Sequence, residues 1–164
     1  MTESIDHLLN SLTLTSSKRP VYETPEDIIR EASIQEEFIE AVYGDNELVK
    51  AIKLPKFYAI DYALTKNNEQ IIGWLEIKSR TIPSNKYSSY ILSYRKWREG
   101  IGISQESGLP YYLAVKWTDK LGVITFPNSI QTNLVIGGRI DRSDPDDIEP
   151  MVEIPITPLS FKFY

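Results

Sequence analysis

The chain has no cysteine and only one histidine, His7, among its 164 residues. Disulfide bonds and thiolate metal sites are therefore excluded. Zinc hydrolase and Ser-His-Asp chemistry are disfavoured, because both normally depend on histidine. No apolar run approaches the roughly 20 residues that span a membrane, and the N-terminus lacks a signal-peptide pattern. We therefore expect a cytoplasmic protein without membrane contact.

Basic residues are also in the minority, with 18 Lys and Arg against 23 Asp and Glu and a net charge of −5. This charge balance argues against a protein that coats nucleic acid non-specifically, although a local basic patch can still bind a phosphate backbone. The length suits one domain with a real core, which we expect over residues 24–164. Residues 1–23 are expected to form an arm or linker, either a frayed tail or a segment that packs on a partner subunit.

A β-hairpin is the feature around which the rest of the chain is arranged. Two runs rich in β-branched and aromatic residues, 57–64 and 71–80, flank a polar break at 66–69. A turn centred on Asn68 and Glu69 would place residue 61 opposite residue 76. Alternate side chains of a strand share a face, so positions 76 and 78 also lie together.

The residues at these three positions are Asp61, Glu76 and Lys78. Two neighbouring carboxylates repel each other, and a divalent cation removes the conflict. Mg²⁺ takes one or two carboxylates together with water and phosphate, and a nearby lysine can orient the attacking water or offset charge on a phosphate. The alternative is an ordinary hairpin with a solvated Glu/Lys ion pair.

A helix is predicted to begin at Thr24-Pro25 and to end before Gly44. Its apolar residues point in a mean direction close to Gln35 and about 30° from Glu31, so both polar residues are expected on the packed face. A glutamate there needs a partner. The opposite possibility is that Glu31 lies at the edge of this face in solvent; Glu36 and Glu37 are the fallback candidates for the site.

The other predicted elements are a strand at 48–54, a helix at 87–106, a strand at 111–117 parallel to 71–78, and a strand at 123–126. Residues 137–147 are expected to form a loop, 151–156 a strand, and 159–163 an edge strand or oligomer contact.

The segment from residue 78 to residue 98 contains six basic residues and no acidic one, interleaved with aromatic residues. This composition favours a phosphate-binding surface; the alternative is a helix with an aromatic core face and a solvated basic face. The candidate nucleic-acid contacts within this segment are Arg80, Lys86, Arg95 and Lys96. Arg139 and Arg142 are further candidates in the predicted loop.

The sequence Ile60-Asp61-Tyr62 followed by Trp74-Leu75-Glu76-Ile77-Lys78 resembles the active-site hairpin of the PD-(D/E)XK nuclease superfamily. Ile60 stands where the usual pattern has proline. Together with the predicted order of elements, the resemblance extends over residues 24–126. It implies an α/β fold with a restriction-endonuclease-like αβββαβ core, whose central mixed sheet of four to five strands is flanked by helices.

The resemblance also implies an activity. A small Mg²⁺-dependent deoxyribonuclease is expected, an endonuclease rather than an exonuclease, with Mn²⁺ able to substitute and a 5′-phosphate left on the product. It would be a restriction-like, junction-resolving, phage or homing enzyme that works as a homo-oligomer on DNA. The alternatives are a non-catalytic nucleic-acid-binding or assembly module on the same fold and a plain protein-interaction domain.

Individual residues take their roles from the same resemblance. The metal ligands would be Asp61, Glu76 and the backbone carbonyl of Ile77, with Glu31 assisting and Gln35 in support. Lys78 would serve the attacking water. In the second helix, Ser93 and Lys96 would lean towards the site.

Overall fold

A computed structural model describes residues 24–139, 141 and 145–164. The arm predicted for residues 1–23 and the candidate Arg142 lie outside the described residues. By its internal contacts the chain separates into Met1–Arg30 and Glu31–Tyr164. All the side chains of the candidate site belong to the second unit.

The structure contains two α-helices, nine β-strands and one short 3₁₀-helix among the described residues. In chain order they are α1 (Pro25–Tyr43), β1 (Val49–Lys53), β2 (Tyr62–Lys66), β3 (Gln70–Ser79), β4 (Ser89–Ser93), α2 (Tyr94–Ser107), β5 (Tyr111–Lys116), β6 (Leu121–Phe126), β7 (Asn133–Gly138), the 3₁₀-helix (Pro145–Asp147), β8 (Ile148–Pro155) and β9 (Lys162–Phe163). None of the helices in the described ranges has the length and apolar character needed to cross a membrane.

Helix α1 begins and ends where the sequence predicts. The Asp27 N–H donates to Thr24 Oγ1 at 3.2 Å, and the Thr24 N–H donates to Asp27 Oδ2 at 3.0 Å, so each residue caps the other. At the other end, Gly44 adopts φ 71° and its N–H donates to the Glu40 carbonyl at 3.0 Å. Glycine reaches this left-handed conformation without the strain a side chain would add.

The main sheet has six strands in the order β1-β2-β3-β5-β6-β9. Strands β3 and β5 are parallel, as predicted for a strand-helix-strand crossover, and every other pair in the sheet is antiparallel. The mixed α/β architecture confirms the restriction-endonuclease-like class, with a slightly larger sheet than the four to five strands expected. A second sheet of three strands has the order β4-β8-β7.

Each face of the main sheet has its own apolar cluster. On one face, Ile34 and Phe38 of α1 pack with Leu75 and Ile77 of β3. On the other face, Trp97 of α2 and strands of the second sheet pack against β5 and β6. Because side chains alternate along a strand, residues 76 and 78 of β3 lie on the face covered by α2.

The predicted helix at 87–106 is wrong in its first part, because strand β4 precedes helix α2. Tyr90 and Leu92 are buried while Ile91 between them is exposed, which is the alternation of a half-buried strand. Pairing with β8 places Tyr90 opposite Ile154 and Leu92 opposite Val152. This long-range pairing outweighs the local helical pattern, which applies only from Tyr94 onwards.

Two further boundaries differ from the predictions. Strand β2 begins at Tyr62 and not at residue 57, since residues 54–61 form a loop in which the Leu54 N–H donates to the Asp61 carbonyl at 2.8 Å. Strand β7 occupies residues 133–138, where no strand was predicted, so the expected loop at 137–147 begins only after Gly138. Strand β7 pairs with β8 along its whole length.

Candidate active site

The turn of the β2–β3 hairpin lies one residue earlier than predicted. Asn67 and Asn68 have φ values of 56° and 58°, and the Glu69 N–H donates to the Lys66 carbonyl at 3.3 Å. Two successive positive φ values are typical of a type I′ turn, which asparagine tolerates better than most residues. Taken alone, this shift would move every residue of β3 by one position relative to β2.

A β-bulge restores the predicted register. Thr65 pairs with Ile71, but the next pair is Leu64 with Gly73, so one residue of β3 has no opposite partner. Beyond the bulge Tyr62 lies opposite Leu75, which is the register that brings residue 61 beside residue 76. The turn shift and the bulge both lie near the turn and cancel each other. The register is therefore as predicted at the open end of the hairpin, where the candidate site lies.

Two carboxylates and two ammonium groups meet at this end. Lys78 Nζ lies 2.7 Å from Glu76 Oε1. Lys96 Nζ, reaching in from α2, lies 3.1 Å from Glu76 Oε2 and 3.6 Å from Asp61 Oδ1. It also donates to the backbone carbonyl of Ala59 at 2.6 Å. We refer to Asp61, Glu76, Lys78 and Lys96 as the acid-lysine cluster.

Burial sets the electrostatics of this cluster. Glu76 has no solvent exposure at all, whereas the side chains of Asp61, Lys78 and Lys96 are between 28% and 30% exposed. Desolvation and repulsion from Asp61 raise the pKa of Glu76 above its ordinary value, although Lys78 and Lys96 act in the opposite direction. Burial tends to lower the pKa of Lys78, but attraction to Glu76 and Asp61 outweighs it and raises that pKa. Lys78 is therefore held as an ammonium group.

The strands diverge at the cluster. Pairing between β2 and β3 ends at Tyr62 and Leu75, whereas β3 remains paired with β5 as far as Ser79. Along residues 76–79, β3 thus has no strand partner on its β2 side within the described ranges.

Glu31 does not join this cluster directly. Its Oε2 lies 3.3 Å from Lys53 Nζ, and its helix covers the face of the sheet opposite to Glu76. Gln35, one turn later on α1, is half-buried. In the part of the chain that the structure describes, no group of three or more His, Cys, Asp or Glu side chains is arranged to hold a metal ion.

The other acidic candidates on α1 also lie apart from the cluster. The Oε1 atom of Glu37, a fallback candidate, lies 2.6 Å from Lys116 Nζ on β5. Glu36 is exposed. Lys116, the last residue of β5, lies on the face of the sheet that α1 covers and so attracts the Glu37 carboxylate.

Arg80 follows Lys78 by two residues, just beyond the end of β3. Its guanidinium donates to Tyr90 Oη at 3.0 Å and lies over the Tyr90 ring, 4.8 Å from the centroid. Arg80 and Tyr90 both line a cavity of about 480 Å³, which β4 and the loop after β3 enclose together with Trp117 and Ile156. Ser93, by contrast, donates to Glu149 at 2.9 Å on β8, and no contact of its side chain with the cluster is observed among the described residues.

The remaining basic candidates lie at the surface. Lys86 is exposed in the loop before β4, and Arg95 is exposed on α2, where it pairs with Glu99 at 3.1 Å. Arg139 forms a two-pronged ion pair with Asp141. Of the aromatic residues interleaved with these bases, Tyr90 and Trp97 belong to the core, as the alternative interpretation of this segment predicted.

The sequence did not single out two participants, the Ala59 carbonyl and Tyr90. A backbone carbonyl has no sequence signature. Tyr90 belongs to the basic, aromatic-rich segment, and only the tertiary structure shows that its hydroxyl accepts a hydrogen bond from Arg80.

A family model described as "Phage putative PDDEXK endonuclease" matches residues 17–161. No curated protein and no solved structure matches the chain. The matched range includes the hairpin, helix α2 and every member of the acid-lysine cluster. It covers most of the sequence, and the mixed sheet flanked by helices agrees with it. The chain therefore belongs to this phage family of PD-(D/E)XK nucleases.

Proposed function

We propose that the protein is a metal-dependent nuclease that hydrolyses phosphodiester bonds of DNA at the acid-lysine cluster. The observation that carries this proposal is the convergence of Asp61 and a fully buried Glu76 with two lysines, at the point where β2 and β3 separate. Burying a carboxylate is costly, and a structural role on the hairpin would be served by an apolar residue at lower cost. The arrangement is thus better explained by chemistry than by stability.

The donor set fits a hard divalent cation such as Mg²⁺. Each oxygen of Glu76 contacts one lysine ammonium group, Oε1 that of Lys78 and Oε2 that of Lys96, so each oxygen keeps a further lone pair for a cation. Mg²⁺ requires only one or two carboxylates and fills its other positions with water and phosphate oxygens. Asp61 and Glu76 would hold the ion together with the Ile77 carbonyl, and Glu31 remains a proposed indirect contributor. When bound, the ion supplies a Lewis acid that polarises the phosphate and lowers the pKa of coordinated water.

The two lysines have different tasks in this proposal. Lys78 is held as an ammonium, so it acts as a hydrogen-bond donor that orients the attacking water and stabilises the charge developing on the phosphate. Lys96 holds Glu76 and the Ala59 carbonyl in place through its contacts of 3.1 and 2.6 Å. With two acids and two bases, the cluster has no net formal charge. A bound dication would leave it positive, which favours a phosphate.

Contacts to the DNA backbone are assigned to the basic side chains around the cluster. Arg80 directly follows β3, two positions after Lys78, and Lys86 and Arg95 are exposed on the flanking loop and helix. Lys96, which the sequence indicated as a phosphate contact, already contacts three oxygen atoms of the protein and is better suited to organising the site. Assembly as a homo-oligomer stays a prediction from the small size of the chain.

One observation favours a second candidate, a non-catalytic DNA-binding module. The two lysines alone neutralise both carboxylates, so the fold does not depend on a metal for charge balance. A module of this kind would bind DNA through its basic surface and leave it intact.

The test is to incubate plasmid, linear and branched DNA with the protein and Mg²⁺, Mn²⁺ or EDTA. Cleavage that requires metal and disappears in Lys78→Ala supports the enzyme. Lys66→Ala, which removes an exposed lysine from the other end of the same hairpin, is the matched control and should cleave normally. Binding without cleavage would favour the module, and cleavage that persists in Lys78→Ala would contradict the assigned role.

A further inference from the structure

Two large aromatic side chains are exposed beside the acid-lysine cluster. Phe57 is 84% exposed and Tyr58 is 51% exposed, in the loop that connects β1 to β2. Their rings are neighbours, with centroids 5.1 Å apart and planes inclined by 33°. Adjacent exposed rings are costly to maintain in water and often mark a binding surface.

The loop that carries these rings is held in place at three points. The Leu54 N–H donates to the Asp61 carbonyl at 2.8 Å, and the Tyr58 N–H donates to the Pro55 carbonyl at 2.9 Å. Lys96 donates to the Ala59 carbonyl at 2.6 Å. The ammonium that organises Glu76 is therefore bonded to the residue directly after Tyr58. The backbone next to the aromatic pair is thus anchored to the cluster.

The chemistry around the pair favours a nucleic-acid strand over an apolar partner. Lys56 precedes Phe57 in the loop and is exposed, whereas the nearby Lys96 is engaged with protein oxygen atoms. Aromatic rings next to ammonium groups are the combination that binds single-stranded nucleic acid. The nucleobases stack on the rings, and the phosphates contact the basic side chains. Within a continuous duplex, the faces of the bases are covered by their neighbours.

We propose, building on the nuclease function above, that Phe57 and Tyr58 form a stacking platform for an unpaired base of the strand held at the acid-lysine cluster. The preferred substrate is then DNA with an unpaired base next to the scissile phosphate, such as a fork, a flap or a single-stranded end. A continuous duplex offers the platform no open base face and binds more weakly.

Binding is measured with the full chain in EDTA, so that bound DNA stays intact. The probes are a forked DNA with 2-aminopurine at the first unpaired position and a continuous duplex of equal length. Stacking on an aromatic ring quenches the fluorescence of the probe. We expect the fork to bind about tenfold more tightly than the duplex, and Phe57→Ala with Tyr58→Ala to remove most of this difference and the quenching.

Two variants serve as controls. Phe57→Trp keeps an aromatic face and should retain binding to the fork. Leu159→Ala removes a side chain that is 94% exposed, close to β9 at the opposite edge of the main sheet, and should behave as the wild type. Because all the changed side chains are exposed, the variants are expected to fold, which circular dichroism verifies.

Equal affinity for fork and duplex, or a double variant that binds the fork as Leu159→Ala does, would overturn the proposal. So would a double variant that changes only the sedimentation behaviour, since the pair would then be a contact between copies of the chain. Fork-selective binding without metal-dependent cleavage would refute the nuclease function and leave the platform intact. Metal-dependent cleavage without fork selectivity would refute the platform and leave the nuclease function intact.

Discussion

Lys96 Nζ lies 3.1 Å from Glu76 Oε2 and thereby joins helix α2 to strand β3 inside the candidate site. The same ammonium lies 3.6 Å from Asp61 Oδ1, so the two carboxylates share one cation supplied by the protein itself. This contact connects residues that are far apart along the chain. It also gives the site its arrangement before any ligand binds, since no other described cation contacts both acids.

Replacing Lys96 should destabilise the fold. Lys96→Met leaves the buried Glu76 with Lys78 as its remaining partner. We expect the free energy of unfolding to fall by about 1–3 kcal/mol. This is less than the cost of breaking a fully buried ion pair, because Lys96 is partly exposed. Urea denaturation followed by circular dichroism measures this loss. Arg95→Met, which changes an adjacent exposed side chain, should cost less than about 0.5 kcal/mol. Equal effects of the two substitutions would show that the Lys96 contacts are not stabilising.

Stability should fall with rising pH in the range that Glu76 controls. Its pKa in the folded state lies above the ordinary value of 4.5, mainly because of burial. At pH values between the unfolded-state pKa and the raised folded-state pKa, Glu76 is protonated in a larger fraction of folded than of unfolded chains. The free energy of unfolding therefore decreases as pH rises through this range. Glu76→Gln removes this contribution, and its free energy of unfolding should depend less on pH from 4.5 upwards.

The measurement is a series of urea denaturation curves across that pH range. The matched control is Glu69→Gln, which removes the same formal charge from the exposed hairpin turn. A wild-type protein and a Glu76→Gln variant with parallel pH profiles would contradict the assigned role of burial.

Asp61→Asn should separate activity from stability. The substitution removes a carboxylate from the proposed metal site, and we expect cleavage of DNA to fall by at least about 100-fold. Stability should change by less than about 1 kcal/mol, because the pair with Lys96 is partly exposed and at 3.6 Å. Single-turnover cleavage and urea denaturation measure the two quantities. Unchanged cleavage would remove Asp61 from the proposed mechanism.

Two glycines of helix α2 should respond to alanine in opposite ways. A Cβ atom at Gly100 would overlap the ring of Tyr111, which is fully buried, so Gly100→Ala should cost about 1–3 kcal/mol. Nothing lies within 4 Å of a Cβ atom at Gly102, and Gly102→Ala should stabilise the helix by about 0.5–1 kcal/mol. Thermal denaturation of both variants decides this. Effects of the same sign would contradict the packing described for α2.

The hairpin turn offers a test of the register. Asn68 has φ 58° in a type I′ turn, where Asn-Gly is the favoured pair, so Asn68→Gly should be neutral or stabilising by about 0.5 kcal/mol. Asn68→Val places a β-branched residue at positive φ and should cost about 1 kcal/mol or more. Thermal denaturation compares the two. A Val variant as stable as the Gly variant would indicate that the turn adopts another conformation.

Local sequence signals predicted several elements correctly. The Thr24-Pro25 start and the Gly44 end of α1 depend on hydrogen bonds and dihedral angles within a few residues, and both were confirmed. The parallel pairing of β3 and β5 follows from a general rule for crossover connections and was also confirmed. The first part of the predicted second helix was wrong, because β4 is stabilised by a strand more than fifty residues away.

The sequence by itself determined the β-hairpin that resembles the PD-(D/E)XK active site, with its two carboxylates and its lysine. It also determined the alternation that places Glu76 and Lys78 on one face of the strand. These properties follow from the local geometry of strands and turns. Only the tertiary structure decided that a turn shift and a bulge cancel, that Glu31 bonds Lys53 on the far face, and that Lys96 enters between the acids. Those outcomes depend on how separate elements pack, and the free energy of packing is a property of the whole fold.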